Sequence, residues 1–186
     1  GLMSRVCVFL ADGFEEIEGL TVVDILRRAG VDTQMVSISS DRMVTGSHKI
    51  PVQADVCMEE ADFSGTELLV LPGGMPGTLN LGACDALTGL LVQFHKEGKK
   101  VAAICAAPGV LGDLGILKGK KAVCYPGFEE RLHGANVAYD KVAVDGNVTT
   151  SRGMGTAIPF ALALVEQLVS KEKAEELKKG IIYGHA

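Results

Sequence analysis

Cys105 ends a short apolar run, in Val101-Ala-Ala-Ile-Cys105-Ala-Ala-Pro108. A buried strand there would deliver a nucleophile into a sharp turn, and Pro108 suits the first turn of a helix starting at once. Ala103 and Ala107 occupy the positions that crowd together in such a turn. The strand–nucleophile–helix elbow of hydrolases follows the same steric logic, with glycines in those places. A thiol at a helix N-terminus gains from the partial positive charge there, which favours the thiolate and lowers the pKa. The segment also fits an ordinary buried cysteine packed as a small hydrophobe.

Glu18 is the second candidate. Val22, Ile25, Leu26 and Ala29 form the i, i+3, i+4, i+7 stripe of a core-facing helix. Four residues before Val22, on the same stripe, comes Glu18. An inward carboxyl near the end of a parallel sheet is costly unless protonated or hydrogen-bonded. Glu15 and Glu16 read as first-turn acids that favour the helix dipole, and a bend to solvent would give Glu18 the same role. The third candidate is Leu71-Pro-Gly73-Gly74-Met-Pro-Gly77, whose amides could receive an oxyanion or simply form a tight turn. It lacks G-x-G-x-x-G and a Walker lysine, so it gives no nucleotide signal. Ser151 to Thr156, ahead of the last long helix, reads as a structural turn.

These residues must be positioned by a single compact domain spanning 1–186, since the chain has 186 residues and 19.5 kDa. At 47% hydrophobic, 22% charged and a mean hydropathy of +0.26, it can bury enough apolar surface to offset ordering entropy. A net charge of −5 argues against a dedicated nucleic-acid binder, and 5% aromatics without tryptophan argue against base-stacking platforms. No run of about 18 apolar residues suggests a membrane span, and the start lacks signal-peptide character. Gly1 and Leu2 ahead of Met3 read as an expression remnant. Cys7, Cys57, Cys84, Cys105 and Cys124 are odd in number and include no C-x-x-C, poor material for disulfides or zinc. Cytoplasmic localisation is the expectation, with no metal site.

The short apolar runs at 5–11 and 67–71 read as buried strands, and 31–39, 101–104 and 121–124 also read as strands. Helices are predicted over 15–29, 85–96, from Pro108, over 156–169 and 171–179. Hairpins are predicted around Gly46, over 43–52, and around Asp145-Gly146, joining 141–144 to 148–150. Strands alternating with helices, and reading as continuous apolar runs, give an α/β fold with a mostly parallel sheet covered on both faces.

Ala11-Asp-Gly-Phe-Glu-Glu-Ile-Glu18, Val70-Leu-Pro-Gly-Gly74, Ala103-Ile-Cys-Ala-Ala-Pro108 and Thr150-Ser-Arg-Gly-Met-Gly-Thr156, in that order, resemble the ThiJ/PfpI superfamily. The similarity covers nearly the whole chain and looks closest to the branch of the parkinsonism-associated protein deglycase, which is glyoxalase III-like. The resemblance implies a flavodoxin-like three-layer sandwich and an intimate homodimer pairing through the first helix and the Gly-Gly region. Gly19 in that helix would permit close backbone approach. By the same resemblance Cys105 is the elbow nucleophile and redox-sensitive thiol, and Glu18 is the protonated acid that hydrogen-bonds it. Gly73, Gly74 and the backbone of Ala106 supply the oxyanion pocket, and no cofactor is needed. Members are described as glyoxalases, deglycases of early glycation adducts, redox-responsive chaperones and, in one branch, peptidases.

Two departures stand out. Tyr125 occupies the place where deglycase-like members carry histidine, and Ala106 follows the cysteine where peptidases carry one. His48, His95, His133 and His185 fit no ligand or triad spacing. His95 reads as solvated. His48 falls where relatives often have arginine, which suggests an anion-site role, and Tyr125, Cys124 and His48 are the further pocket candidates.

The implied reaction is cofactor-independent, cysteine-dependent conversion of a 2-oxoaldehyde such as methylglyoxal, or of an early glycation adduct, by a hydro-lyase or hydrolase. The alternative is a redox-responsive sensor or chaperone without significant turnover. The missing histidine favours the sensor and the glycines favour the enzyme, while a peptidase is disfavoured. The partners expected are a small reactive aldehyde or glycated substrate and a second copy of the chain, with no nucleic acid and no membrane.

Overall fold

The computed structural model describes residues 5–184 together with the backbone of Leu2 and Met3. Of the two residues read as an expression remnant, Gly1 lies outside the described residues and Leu2 pairs in a short strand. His185 also lies outside them. In chain order the strands are β1 (Leu2–Met3), β2 (Val6–Leu10), β3 (Thr33–Ser37), β4 (Met43–Thr45), β5 (Pro51–Gln53), β6 (Val56–Cys57) and β7 (Ala61–Asp62). They continue as β8 (Leu68–Leu71), β9 (Lys100–Ile104), β10 (Lys121–Ala122), β11 (Asn136–Val137), β12 (Val142–Asp145) and β13 (Val148–Ser151). The helices are α1 (Glu16–Arg28), α2 (Gly77–Gly82), α3 (Asp85–Lys96), α4 (Pro108–Asp113), α5 (Ala157–Leu168) and α6 (Lys171–Gly180).

The central sheet runs β12-β13-β9-β8-β2-β3-β6, parallel throughout except for the β12–β13 edge hairpin. Alternation along its strands divides the core into two layers, because successive side chains point to opposite faces. Val6, Val8, Leu10, Leu68, Val70, Ala102 and Ile104 pack with the inner stripes of α1 and α5. Cys7, Phe9, Leu69, Leu71, Val101 and Ala103 pack against α2, α3 and α4. This is the flavodoxin-like sandwich that the resemblance implied. Both faces are covered, so β2 and β8 read as continuous apolar runs, while the polar residues of β3 and β13, such as Ser37, Thr149 and Thr150, are buried too.

Helix α1 is bounded as its sequence suggests. Glu15 caps it by accepting the Ile17 N–H at 2.5 Å, and Gly30 beyond its end has φ +78°. Helix α3 spans the expected residues. The strand expected over 121–124 is shorter and lies elsewhere: β10 pairs with β11 in a separate two-stranded ribbon. The hydrogen bonds beyond β10 go to side chains and turns, as when the Val123 N–H donates to Thr150 Oγ1 at 3.0 Å. The Gly46 hairpin forms as β4 and β5, and the second hairpin turns on Gly146-Asn147, one residue later than expected. Among the described residues, no helix is long and apolar enough to cross a membrane.

The carboxyl ends of β2, β8 and β9 are adjacent, because β8 lies between β2 and β9. Turns leaving these strands therefore meet at one edge, where ligands bind in open α/β sheets.

Candidate active site around Cys105 and Glu18

Cys105 directly follows β9 and sits in the left-handed region at φ +69°. A non-glycine residue held there costs on the order of 1–3 kcal/mol, so the surroundings must enforce it. They do so through main-chain bonds. The Cys105 N–H donates to Ser151 O at 3.0 Å, and its carbonyl accepts from the Tyr125 N–H at 2.8 Å. Buried Ala103, Ala106 and Ala107 leave room for the turn, and Pro108 opens α4 at its first position. This is the elbow anticipated from the sequence.

Glu18, on the inner stripe of α1, is fully buried. Its Oε1 accepts the Gly73 N–H at 2.9 Å. Its Oε2 is buried with no hydrogen-bond partner in range. The two glycines after β8 allow the assembly to close. A Cβ on Gly73 would lie 2.6 Å from Cys105 Cβ and 2.7 Å from Glu18 Oε1. Gly74 has φ +94°, and a Cβ there would strike the Glu15 main-chain nitrogen at 2.4 Å. The Gly74 and Ala106 amides both favour the Cys105 thiolate. The oxyanion assignment therefore changes at Gly73: its amide is committed to the acid, leaving Gly74 and Ala106 to face the sulfur.

Burial pushes the Glu18 carboxyl up to about 7, with the Glu15 charge adding to the rise while Cys105 and the Gly73 N–H oppose it. The expected depression of the Cys105 pKa is overturned. Burial raises the thiol to about 12, the Glu18 charge adds to this, and the Ala106 and Gly74 amides offset only part. Helix α4 spans six residues, too little helix to outweigh desolvation and a neighbouring carboxylate. The pair accordingly retains one proton across the neutral range. When that proton rests on Glu18, the repulsion vanishes and the amides favour the thiolate.

A linkage consequence follows for stability. The folded protein holds the Glu18 proton more tightly than an ordinary glutamate, so it binds more protons than the unfolded chain between pH 4.5 and about 7. Stability on this account is full below 4.5 and falls as pH rises, by about 3 kcal/mol in all. Denaturant titrations at pH 4.5 and pH 8 should show that loss in wild type relative to Glu18→Gln. An equal pH slope in both proteins would contradict it.

The further pocket candidates fare differently. Tyr125 reaches Cys105 through its main chain, while its ring, 40% exposed, packs edge-on to Phe128 and beside Gly153. Cys124, whose chain segment runs beside Cys105, turns its side chain into the other core layer. It packs in the layer of Leu111 and Val148, whereas Cys105 packs in that of Ala157 and Phe160. Burial raises the Cys124 thiol to about 11. His48 faces carboxylates instead of an anion site, lying 3.2 Å from Glu15 Oε1 and 3.1 Å from Glu16 Oε1. Gly19 faces inward: a Cβ there would touch the Phe14 ring at 3.0 Å, so its smallness serves packing within the chain. His95 is half-buried: its Nδ1 is buried without a partner, and burial lowers its pKa.

A family model described as DJ-1/PfpI matches residues 4–167. The chain belongs to the DJ-1/PfpI family. It is 38% identical over 180 residues to Protein DJ-1 homolog B of Arabidopsis thaliana, a match covering 96% of this chain and 41% of that one. The chain thus spans less than half the length of that relative. It is 32% identical over 169 residues to the glutathione-independent glyoxalase DJR-1.2 of Caenorhabditis elegans, covering 89% of this chain and 88% of the other. The solved structure of oxidized Toxoplasma gondii DJ-1 superposes with a TM-score of 0.91 at 35% identity, covering 98% of this chain and 100% of that one. The ThiJ/PfpI resemblance is thereby established, and the elbow and glycine turn described above are this family member's candidate site.

Proposed function

We propose that this DJ-1/PfpI member is a cofactor-independent glyoxalase that converts 2-oxoaldehydes such as methylglyoxal to 2-hydroxy acids, with early glycation adducts as further substrates. The observation that carries this reading is the juxtaposition of the strained Cys105 with a buried Glu18 whose pKa lies near 7. The glyoxalase name of the nematode relative supports it.

The thiolate adds to the aldehyde carbon, and the resulting oxyanion takes the proton held by Glu18, giving a hemithioacetal. The Gly74 and Ala106 amides are placed to stabilise that oxyanion. Glu18, now a carboxylate, removes the C1 proton to give an enediol as the C2 oxygen is protonated; the proton is then returned to C2 while the C1 hydroxyl gives up its own, which leaves a thioester of the 2-hydroxy acid. Water then cleaves the carbon–sulfur bond, releasing the acid and regenerating the thiol. A carboxyl titrating near 7 can both give and take this proton at neutral pH. The test is lactate production from methylglyoxal, which wild type should catalyse and Cys105→Ser should not. Wild-type production at the uncatalysed rate would sink the enzyme reading.

A second reading, a redox-responsive sensor or chaperone, draws on the unpartnered Glu18 Oε2. When protonated, that oxygen can donate to an oxygen added to the Cys105 sulfur. The oxidized Toxoplasma relative is consistent with such chemistry.

We also propose a homodimer through the outer face of α1, where Ile17 is 55% exposed and Leu20, Ile158 and Ile181 line a hollow of about 370 Å³. Light scattering at micromolar concentration should give twice the protomer mass; the protomer mass would overturn it.

A further inference from the structure

Glu15 and Glu16 enter α1 side by side, and both are 5% exposed. The loop 46–50 folds over them so that Oε1 of each faces the same atom, His48 Nδ1, at 3.2 and 3.1 Å. The opposite oxygens are tied back by main-chain donors. Glu15 Oε2 accepts from the Ile17 N–H, and Glu16 Oε2 accepts from the His48 and Ile50 N–H groups at 2.9 and 3.2 Å. Gly46 makes the cradle possible, since a Cβ there would strike the Glu16 carboxyl carbon. The imidazole stays open to solvent, its side chain 68% exposed.

A neutral imidazole carries one N–H, so Nδ1 can serve only one of the two carboxylates. Glu16 Oε1 also accepts from the His48 N–H at 3.2 Å and the Ser47 hydroxyl at 3.4 Å, and Ser47 Oγ lies 3.1 Å from Nδ1, so the oxygen left depending on the imidazole is that of Glu15. Glu15 Oε1 meets no other partner among the described residues. A divalent cation would satisfy all three atoms together. Nitrogen and oxygen ligands at about 2.0–2.1 Å in a tetrahedral shell stand roughly 3.3 Å apart. The two Nδ1–Oε1 separations are close to that edge, and all three donor atoms lie within 4.8 Å of one another.

We propose that Glu15 Oε1, Glu16 Oε1 and His48 Nδ1 form a binding site for a divalent transition metal of the zinc class, separate from the Cys105–Glu18 pair. One imidazole and two carboxylates suit such an ion better than calcium, which takes six to eight oxygens. The exposed side of His48 leaves the fourth position to water. The tied Oε2 atoms are the outer hydrogen bonds that keep ligating carboxylates oriented.

Because a thiol beside a carboxylate can also bind zinc, the test removes that thiol. Zn²⁺ is titrated calorimetrically into the full chain as wild type, Cys105→Ser, His48→Ala and Glu15→Gln, with Co²⁺ absorption reporting tetrahedral geometry. Circular dichroism checks the fold, and the exposed His48 gives a variant that should not unfold even if Glu15→Gln does. Wild type and Cys105→Ser should each bind one Zn²⁺ per protomer. His48→Ala should weaken binding by more than the 10- to 100-fold, approximately, that loss of an outer-shell partner costs. Full-affinity binding in His48→Ala, loss of binding in Cys105→Ser, or no binding by wild type would each overturn the proposal.

Discussion

Glu18→Gln should lower lactate formation by about 10²–10⁴-fold, the usual worth of a positioned acid–base group, while making Cys105 a better nucleophile toward a simple alkylating agent. The two effects have opposite signs because they come from different terms. Turnover needs the carboxyl to give and take a proton, which an amide cannot do. The thiol, however, is raised partly by the Glu18 charge, and a neutral glutamine removes that charge. Wild-type alkylation should also have an unusual pH profile. The thiolate paired with protonated Glu18 has the same proton count as the thiol paired with the carboxylate, so its population rises to about pH 7 and then levels off. Free cysteine, with a pKa near 8.5, gains roughly 16-fold in thiolate between pH 7 and 8.5. Iodoacetamide kinetics followed on the Cys105 peptide would show the plateau in wild type and an ordinary rising titration in Glu18→Gln. If both proteins follow the free-cysteine curve, Glu18 does not share its proton with the thiol and the shuttle fails.

The frame of the fold was legible because the central strands are buried on both faces. Segments such as Val6–Leu10 and Leu68–Leu71 contain no polar residue, and helices α1 and α3 carry acids in their first turn and bases in their last. Helix α2 was not legible. Its sequence, Gly77–Gly82, contains two glycines and no periodic stripe, and it is held by tertiary packing of Leu81 and by the Thr78 N–H to Gly74 O bond. The strand expected over 121–124 shows the converse limit. Ala122 and Cys124 pack in the core layer of α4, but only Lys121 and Ala122 extend a ladder, because β13 already pairs with β12 and β9.

At the site, Cys105 and Glu18 were readable from local pattern alone, one from its flanking alanines and the other from helical phase. What failed required orientation or distance. Which amide of a Gly-Gly pair faces the pocket depends on turn dihedrals, so the motif suggests an oxyanion role for Gly73, whose amide in the fold serves Glu18. Cys124 does follow a chain segment that runs beside Cys105, but which core layer its side chain enters is not legible from its neighbour Tyr125. The thiol's pKa was read from helix position without the cost of burial. His48 sits 32 residues beyond Glu16, and no local spacing rule connects them.

Mild peroxide should place two oxygens on Cys105 before any other cysteine, although it is only 8% exposed. The competing thiols each lack something. Cys7 is raised to about 11, first by burial, and Cys57 is raised by burial together with Glu60 and Glu59. Cys124 is raised to about 11 with Glu129 contributing. Cys84 is partly exposed and therefore the strongest competitor. None of these four has amides on the sulfur together with a protonated acid beside it. At Cys105 the thiolate attacks one peroxide oxygen, releasing hydroxide and leaving a sulfenic acid; a second peroxide gives the sulfinate. The sulfinate is then held by the Gly74 and Ala106 amides, and by a hydrogen bond from the Glu18 Oε2 that has no partner in the reduced protein. Short hydrogen bonds of this charged kind are roughly twice as strong as neutral ones, so oxidation should stop there. Glu18→Leu removes the donor and leaves the Gly73 N–H without its acceptor, and its product should spread over sulfenic, sulfinic and sulfonic states. Peptide mass spectrometry across a peroxide titration reads both results. Oxidation of Cys84 or Cys124 to the two-oxygen state while Cys105 stays reduced would show that the proposed site is wrong in its central residue, and an unchanged product distribution in Glu18→Leu would remove the acid from its role.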